Sequence, residues 1–441
     1  MSARGHGMEL IQALGRAPTF EQRGKLRGAV GTTLRVTGVQ AKIGESVEIV
    51  DAASGFSMWA EVVGLADGEA ILTPLGDMRG LSSSAEIVLR SGQDRVPYGD
   101  HLLGRVLDAR CEPLDGLGPV KRQPDRPLLA DSPNPMVRKP IDAAMETGVR
   151  AIDSLITLGI GQRLGVFAAA GGGKSTLMAM LARHAKADAI VFSLIGERGR
   201  EVREFVEDVL GPEGLARSVV IVATSDRPAM ERVRAAQVAT AIAEGMREEG
   251  KHVLLLMDSV TRYARALREI GLSAGEPAVR RGFPPSVFAE LPRLVERAGT
   301  SDRGAITGIY TVLMEDEEGD PIGEEVRSLL DGHIHLSRKL GAQGHYPAID
   351  ILTSLSRLYP KLASSGQAQT ATEVRAMLAK LNDIELLVQM GEYQPGQDRL
   401  ADRALETRDA IMSFLRQSAD EPSNSATTMA LFRSLGSGYG Y

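Results

Sequence analysis

Residues 165–181, GVFAAAGGGKSTLMAML, decide how the rest of the chain is interpreted. They differ at one position from the phosphate-binding pattern G-x-x-x-x-G-K-[ST], because Ala168 stands where that pattern has its first glycine. The predicted strand GQRLGVFA precedes the loop and the predicted helix STLMAMLARHA follows it, as a phosphate-binding loop requires. Alanine is tolerated wherever the residue keeps a negative φ. The sequence therefore predicts a phosphate-binding loop rather than a glycine linker.

The residue types in this loop suit a nucleotide. Gly171, Gly172 and Gly173 allow the backbone to curl so that its N–H groups face phosphate oxygens, and the helix that follows adds its positive end. Lys174 is expected to bridge the outer phosphates, and the hydroxyl of Ser175 is expected to ligate magnesium.

Two acidic residues elsewhere in the chain complete the chemistry that this loop needs. In KHVLLLMDS, an apolar strand leads into Asp258, whose carboxylate is expected to reach the metal, through water. In SLIGERGREVREF, Glu197 leaves another strand end, where it can polarise a water in line with the terminal phosphate. Arg198 beside it can meet a phosphate oxygen. From the residues alone, Glu197 is equally well explained as an acid that begins a helix.

The bulk properties indicate a globular protein of two to three domains. The chain has 441 residues, 43% of them hydrophobic and 24% charged, and Cys111 is its one cysteine. No apolar run approaches the roughly 20 residues of a membrane span, and the N-terminus does not resemble a signal peptide, so we expect a cytoplasmic protein. A net charge of −6 and 4% aromatic residues argue against a nucleic-acid partner.

The pattern of apolar, glycine and proline residues divides the chain into several predicted domains. Short β-branched runs broken by glycines predict a β-barrel over 24–95, after an N-terminal segment 1–23. Apolar strands alternate with amphipathic helices over 96–365, which predicts an α/β P-loop domain, RecA-like, with a mainly parallel sheet. The proline-rich passage RQPDRPLLADSPNP is interpreted as a connection. Residues 366–441 predict a helical domain with a loose tail.

Four long runs resemble the type III secretion ATPases, relatives of the catalytic beta subunit of the rotary ATP synthase. They are LIGERGREV, VLLLMDSVTRYARALREIG, GEPAVRRGFPPSVFAELPRLVERAG and SLLDGHIHLSRKL with GHYPAIDILTSLSR. The resemblance implies the same three-part fold, a homohexameric ring, and hydrolysis of ATP with Mg²⁺ at subunit interfaces. It also implies that hydrolysis detaches chaperones from export substrates and unfolds them. Members of this family commonly carry alanine at the position of Ala168.

The resemblance assigns roles residue by residue. Tyr346 matches a residue that stacks on adenine, and Glu201 matches one that orients metal-bound water. The nucleotide is expected to contact Ala170, Gly171, Gly172, Gly173, Lys174, Ser175, Thr176 and Tyr346. The metal is expected near Ser175, Asp258 and Glu201. The catalytic residues are expected to be Glu197, Lys174, Arg198 and Arg357.

Arg357 takes its role from the resemblance alone, since a lone arginine in a loop is ordinarily a solvated surface residue. It matches an arginine that reaches into the neighbouring subunit's site, and such a finger accelerates phosphoryl transfer by ~10³–10⁵.

The resemblance also implies partners and a location. The partners are a stator-like regulator contacting the amphipathic MELIQAL segment at 8–14, a central stalk protein in the ring, and chaperone–substrate complexes at the C-terminal domain. The ATPase would lie peripherally at the cytoplasmic face of the inner membrane, near the export gate. The phrase AILTPLGDMRGLSS and the loop AAAGGGKST favour an injectisome over a flagellar apparatus.

Three other functions compete with this interpretation. A ring-shaped RNA translocase should have a basic, aromatic N-terminal domain, whereas 24–95 contains only Phe56 and Trp59 as large ring residues. A non-catalytic ring subunit would carry glutamine at the position of Glu197. An ATP synthase beta subunit would have a longer C-terminal domain with an acidic helix–turn stretch, and would not combine a full active site with its own Arg357.

Overall fold

The N-terminal part of the protein is a closed six-stranded barrel. The computed structural model describes residues 22–90, 94–169, 171–314 and 319–436. The barrel strands are antiparallel in the order β1-β2-β5-β4-β3-β6, and β6 pairs back with β1. Side chains alternate between solvent and a core in which Leu34, Val47 and Leu72 are fully buried. The strands are β1 (Arg23–Val30), β2 (Thr33–Thr37), β3 (Ser46–Asp51), β4 (Phe56–Ala66), β5 (Glu69–Leu75) and β6 (Glu86–Leu89).

The segment between the barrel and the central domain contributes structure of its own. It contains β7 (Arg95–Pro97), a 3₁₀ turn (Asp100–Leu102), β8 (Arg105–Asp108) and β9 (Asp125–Pro127). The proline-rich passage, interpreted from the sequence as a connection, includes β9, which pairs with β7. Strand β8 is an edge strand of the central sheet. Four residues are too few for hydrophobic periodicity to distinguish a strand from a turn.

The central domain is built on a mainly parallel sheet, as predicted. Its strands run in the order β17-β16-β10-β15-β13-β11-β12-β8, with β14 paired to β15. Every pairing is parallel except β14 with β15 and β16 with β17. The central strands are apolar because helices cover both faces. The strands are β10 (Arg163–Ala168), β11 (Ala189–Ile195), β12 (Ser218–Ala223), β13 (His252–Asp258), β14 (Gly299–Thr300), β15 (Ala305–Leu313), β16 (Gly332–Leu336) and β17 (Ile349–Ser356).

Helices connect these strands. The stretch that follows β11 contains a π-helical segment (Phe205–Leu210) between two short α-helices. The α-helices of the central domain are α1 (Arg150–Leu155), α2 (Lys174–His184), α3 (Gly199–Glu204), α4 (Gly211–Ala216), α5 (Ala229–Glu248), α6 (Val260–Ser273), α7 (Pro285–Glu296), α8 (Pro321–Leu329), α9 (Arg338–Ala342) and α10 (Tyr359–Leu362).

The C-terminal part is helical and is held to the central domain by buried polar contacts. Its helices are α11 (Ser365–Gln389), α12 (Arg399–Leu415) and α13 (Ser425–Gly436). Arg150 of α1 is buried and donates through Nε to the carbonyl of Phe414 at 2.8 Å. Gln417 donates to the carbonyl of Gly148 at 2.7 Å. The architecture of barrel, α/β centre and helical end predicted from the sequence is therefore confirmed.

Some predictions concern residues that the structure does not describe. The MELIQAL segment, predicted to contact a stator-like regulator, lies within 1–21, outside the described residues. Ala170 of the loop also lies outside them. Among the helices in the described ranges, none is both long enough and apolar enough to cross a membrane.

A buried cluster of charged side chains connects β9 to α5 and to the residue that follows α7. Glu244 of α5 has no exposed side-chain surface and accepts from Arg297, which follows α7, at 2.7 Å. The same carboxylate lies 3.0 Å from the guanidinium of Arg126 in β9. Removing one member of a buried cluster leaves uncompensated charge in the interior, which costs more than an exposed pair contributes.

Glu244→Ala should therefore destabilise the protein by about 3–5 kcal/mol, measured as the shift of the urea-unfolding curve, because two guanidinium groups lose their buried counter-charge. Glu207→Ala, which breaks an exposed pair with Arg203, is the control and should shift the curve by less than about 1 kcal/mol. Equal shifts for the two variants would show that the buried cluster does not stabilise the fold.

Candidate active site

The glycine-rich loop connects the end of β10 to the start of α2. Ala168 is the last residue of β10 and is paired with Leu313, so its backbone is extended and does not need glycine. Gly171 and Gly173 have φ of 77° and 85°, the left-handed region that favours glycine. The departure from the general phosphate-loop pattern thus falls at a position where alanine fits, and the retained glycines lie where the turn requires them.

Close packing explains the middle and last glycines of the loop. A Cβ on Gly172 would lie 3.0 Å from the carbonyl oxygen of Ala169, and one on Gly173 would lie 3.1 Å from the ring of Tyr346. Tyr346 is 37% exposed, so its ring stands beside the loop with a surface that remains accessible. Ser175 is exposed in the first turn of α2, and Thr176 is half-buried.

The centre of the site is the ammonium group of Lys174, which lies between two carboxylates. Its Nζ is 2.5 Å from Oδ1 of Asp258 and 3.5 Å from Oε1 of Glu197. Asp258 ends β13, and Glu197 lies two residues after the end of β11. Because parallel strands end at the same edge of a sheet, the fold brings to one point three residues that are far apart in the chain.

Burial and neighbouring charges raise the pKa of Glu197 above its ordinary value of 4.5. Loss of hydration is the largest cause, and the charge of Asp258 and a side-chain contact with Glu201 act in the same direction. The cations Lys174 and Arg262 oppose the rise. A raised pKa makes this carboxylate a stronger base than an ordinary glutamate.

One predicted site residue, Arg198, lies outside the cluster of Lys174, Asp258 and Glu197. Arg198 occupies the residue position just before α3, and its side chain is 77% exposed and lies 3.6 Å from Glu201. Arg198 is therefore adjacent to Glu197 in the sequence, but its side chain is not part of the cluster around Lys174.

Arg357 lies near the opposite end of the parallel strands from the glycine-rich loop of its own chain. Strand β17 runs antiparallel to β16, and Ser356 pairs with Gly332 at the beginning of β16. The loop leaves the other end of the neighbouring β10, level with Leu336. Four residues of strand separate these levels, about 13 Å at ~3.3 Å per residue. The backbone of Arg357, an exposed residue, therefore lies near the other end of the strands from its own loop.

The structure adds two residues that the sequence reasoning missed. Arg262 of α6 places Nε 3.5 Å from Oε1 of Glu197 and packs over Gly196. Thr311 of β15 is fully buried and donates to Oδ1 of Asp258 at 2.8 Å. Arg262 lies four residues after Asp258, which was a usable signal because the first turn of a helix that begins at a strand end borders the same edge. Thr311 offered no signal, because β15 carries two threonines in an otherwise mostly apolar strand and the sequence does not distinguish them.

Comparison with known proteins places the site in a class. Residues 148–356 match the model of the nucleotide-binding domain of the ATP synthase alpha/beta family. Residues 363–434 match the model described as the T3SS EscN ATPase C-terminal domain. The fold and the loop thus define a P-loop ATPase related to the ATP synthase subunits.

Individual relatives extend the match over nearly the whole chain. The type 3 secretion system ATPase of Sinorhizobium fredii is 52% identical over 415 residues, which are 94% of this chain and 92% of that one. The flagellum-specific ATP synthase of Pseudomonas aeruginosa is 44% identical over 418 residues, 93% of this chain and 92% of that one.

A solved structure gives the same picture. The assembled ATPase EscN of enteropathogenic E. coli, in complex with its central stalk EscO, matches with a TM-score of 0.86 and 44% identity. The match covers 93% of this chain and 99% of that chain. This chain belongs to the family of type III secretion ATPases, and it is an ATP-hydrolysing enzyme.

The pH dependence of hydrolysis should report the raised pKa of Glu197. A base works as the carboxylate, so kcat/KM should fall as the pH drops through that pKa, at a midpoint above 4.5. Arg262→Met removes a cation that lowers the pKa, so this variant should lose activity at a still higher pH. Protonation of ATP itself is common to both proteins and cancels in the comparison. Identical profiles would contradict the proposed environment of Glu197.

Proposed function

We propose that this chain is the ATP-hydrolysing motor of a type III protein export apparatus, and that it acts as a homohexameric ring that releases and unfolds chaperone-bound substrates. The observation that carries the proposal is the meeting of the Lys174 ammonium with the carboxylates of Glu197 and Asp258 beside a phosphate-type loop. Membership in the type III secretion family supports the link to export.

The loop and its surroundings suit ATP together with Mg²⁺. The left-handed glycines let backbone N–H groups face phosphate oxygens, and Lys174 supplies a positive charge at the beginning of α2. The donor set around this point consists of oxygens, the Ser175 hydroxyl and the Asp258 carboxylate, with Glu201 nearby, and oxygens are the ligands that Mg²⁺ prefers. We propose that these residues hold the ion, which when bound neutralises charge on the phosphates.

Glu197 is proposed to hold and polarise the attacking water. Its carboxylate is mostly buried, 14% exposed, and faces the same space as Lys174. In this role it accepts the proton that the water loses as the new bond from the water oxygen to the γ-phosphorus forms, while the bond from that phosphorus to the bridging oxygen breaks and ADP leaves with the bridging oxygen. Arg198 is proposed to meet a phosphate oxygen from the solvent side, since its side chain is largely exposed.

Tyr346 is proposed to stack on adenine. Its ring lies beside the last glycine of the loop, 3.1 Å from the position that a Cβ on Gly173 would take, so a base lying on the exposed part of the ring would be close to phosphates held by the loop. The peptide carbonyl of Tyr346 accepts from the backbone N–H of Gln417 at 2.9 Å, which joins this part of the site to the C-terminal helices.

We propose that the site is completed by a second copy of the chain. Gly171 and Ser175 are exposed in the single chain, so the loop is open on one side. Arg357 lies near the opposite end of the strands, too far from its own loop to act there. In a head-to-tail ring, such an arginine can reach the site of the neighbouring subunit. There it would stabilise charge on the transferring phosphoryl group.

The apparatus is proposed to be an injectisome rather than a flagellum, because identity is higher to the secretion-system ATPase than to the flagellum-specific relative. We propose partners of four kinds, which are a central stalk protein like the EscO that EscN binds, a stator-like regulator, chaperone–substrate complexes, and the export gate at the inner membrane. The ATPase would be cytoplasmic and peripheral to that membrane.

Mixing two inactive variants tests the shared site. Arg357→Ala should bind nucleotide normally but lose at least about 10³-fold in turnover, the lower end of the range for arginine fingers. Glu197→Gln should be inactive for a different reason. In mixed rings, random assembly places intact Glu197 opposite intact Arg357 at about one interface in four, so mixing should restore activity.

Arg433→Ala, which removes an exposed arginine from α13, is the matched control and should hydrolyse ATP normally. Mixtures that stay inactive although size measurements show mixed rings would contradict a shared site. Full activity of Arg357→Ala alone would remove this arginine from the mechanism.

A further inference from the structure

Strand β15 lies between the two strands that carry the site. Strand β10 on one side leads into the glycine-rich loop, and β13 on the other side ends in Asp258. Thr311 is fully buried on β15, opposite Val166. Its hydroxyl lies 2.8 Å from Oδ1 of Asp258 and 3.3 Å from the carbonyl oxygen of Met257. A hydroxyl has one proton to donate, and the shorter contact to a charged acceptor is the stronger one.

The hydrogen bonds of Asp258 are unevenly divided between its two oxygens. Both Lys174 and Thr311 approach Oδ1. In the described part of the chain, no residue donates to Oδ2. The carboxylate is thus fixed in rotation by donors on one oxygen, while the other oxygen keeps its lone pairs for a ligand.

The two donors differ in what else they do. Lys174 is shared with Glu197 and, in the proposed function, also with the phosphates of ATP. Thr311 lies on an inner strand of the sheet and is fully buried, so it does not contact a bound phosphate. The hydrogen bond from Thr311 to Asp258 is therefore independent of the position that the Lys174 ammonium takes when nucleotide binds.

We propose that Thr311 is a positioning residue, whose hydroxyl holds the Asp258 carboxylate in the orientation that presents Oδ2 toward Mg²⁺ bound with the nucleotide. This inference rests on the proposed role of Asp258 on the metal side of the site. It assigns Thr311 no contact with substrate, because the effect passes through Asp258.

The competing explanation is that Thr311 merely satisfies a buried hydroxyl. Thr307, on the same strand and equally buried, provides the comparison. Its hydroxyl accepts from the backbone N–H of Gly161 at 2.9 Å and lies 2.8 Å from Nε2 of His252. A Thr→Val change at either position removes a buried hydroxyl from β15, but only Thr311 touches Asp258.

The experiment measures how strongly magnesium improves nucleotide binding. Fluorescent N-methylanthraniloyl-ADP is titrated onto the full-length wild type, Thr311→Val, Thr311→Ser and Thr307→Val, each with Mg²⁺ and with EDTA. Thr311→Val should weaken binding about tenfold with Mg²⁺ and leave binding in EDTA unchanged, as expected for loss of one hydrogen bond to a charged group. Thr311→Ser retains the hydroxyl and should restore affinity to within about threefold.

Thr307→Val should leave the magnesium effect at its wild-type value even where its melting temperature falls. An unchanged magnesium effect in Thr311→Val, or the same loss in Thr307→Val, would overturn the proposal. Should Thr311→Val fail to fold, Thr311→Ala takes its place under the same criteria. The outcome is separable from the proposed function, because wild-type ATP turnover and its loss in Glu197→Gln test that function without reference to Thr311.

Discussion

The structure depends on one charged contact, the ammonium of Lys174 held between the carboxylates of Asp258 and Glu197. Charged groups that are mostly removed from water require partners, and each of these three residues supplies one for another. The contact forms only if β10, β11 and β13 end at the same edge, which a parallel sheet achieves and an antiparallel one does not. The arrangement of the central domain can thus be understood as the scaffold for this contact.

Two polar side chains, the buried Thr311 and the partly exposed Arg262, support the contact from neighbouring elements. Thr311 reaches Asp258 from the strand between β10 and β13. Arg262 reaches Glu197 from the first turn of α6, whose start is capped by the hydroxyl of Ser259. Each acid therefore has a second partner besides the lysine, and these second partners come from rigid elements. Such support holds the two carboxylates within a narrow range of positions.

The sequence was sufficient for much of this because the decisive features are local. A strand, a glycine loop and a lysine that begins a helix occupy one short stretch, and the acids at 197 and 258 each follow an apolar run that ends abruptly. The support layer depends on which strand lies beside which. Thr311 neighbours Asp258 only because β15 is inserted between β10 and β13, an order that hydrophobic periodicity does not contain. The edge strand β8 was not predicted from the sequence for a related reason, since a four-residue strand has almost no periodic pattern.

We propose that hydrolysis takes place at a site which two copies of the chain build together. The most direct measurement is ATP turnover per subunit over a wide range of protein concentration, with Glu197→Gln as the blank and particle size followed in parallel. Turnover should rise cooperatively as rings form, and this rise should be absent from the blank. Constant turnover by a protein that remains monomeric throughout the range would contradict the proposal.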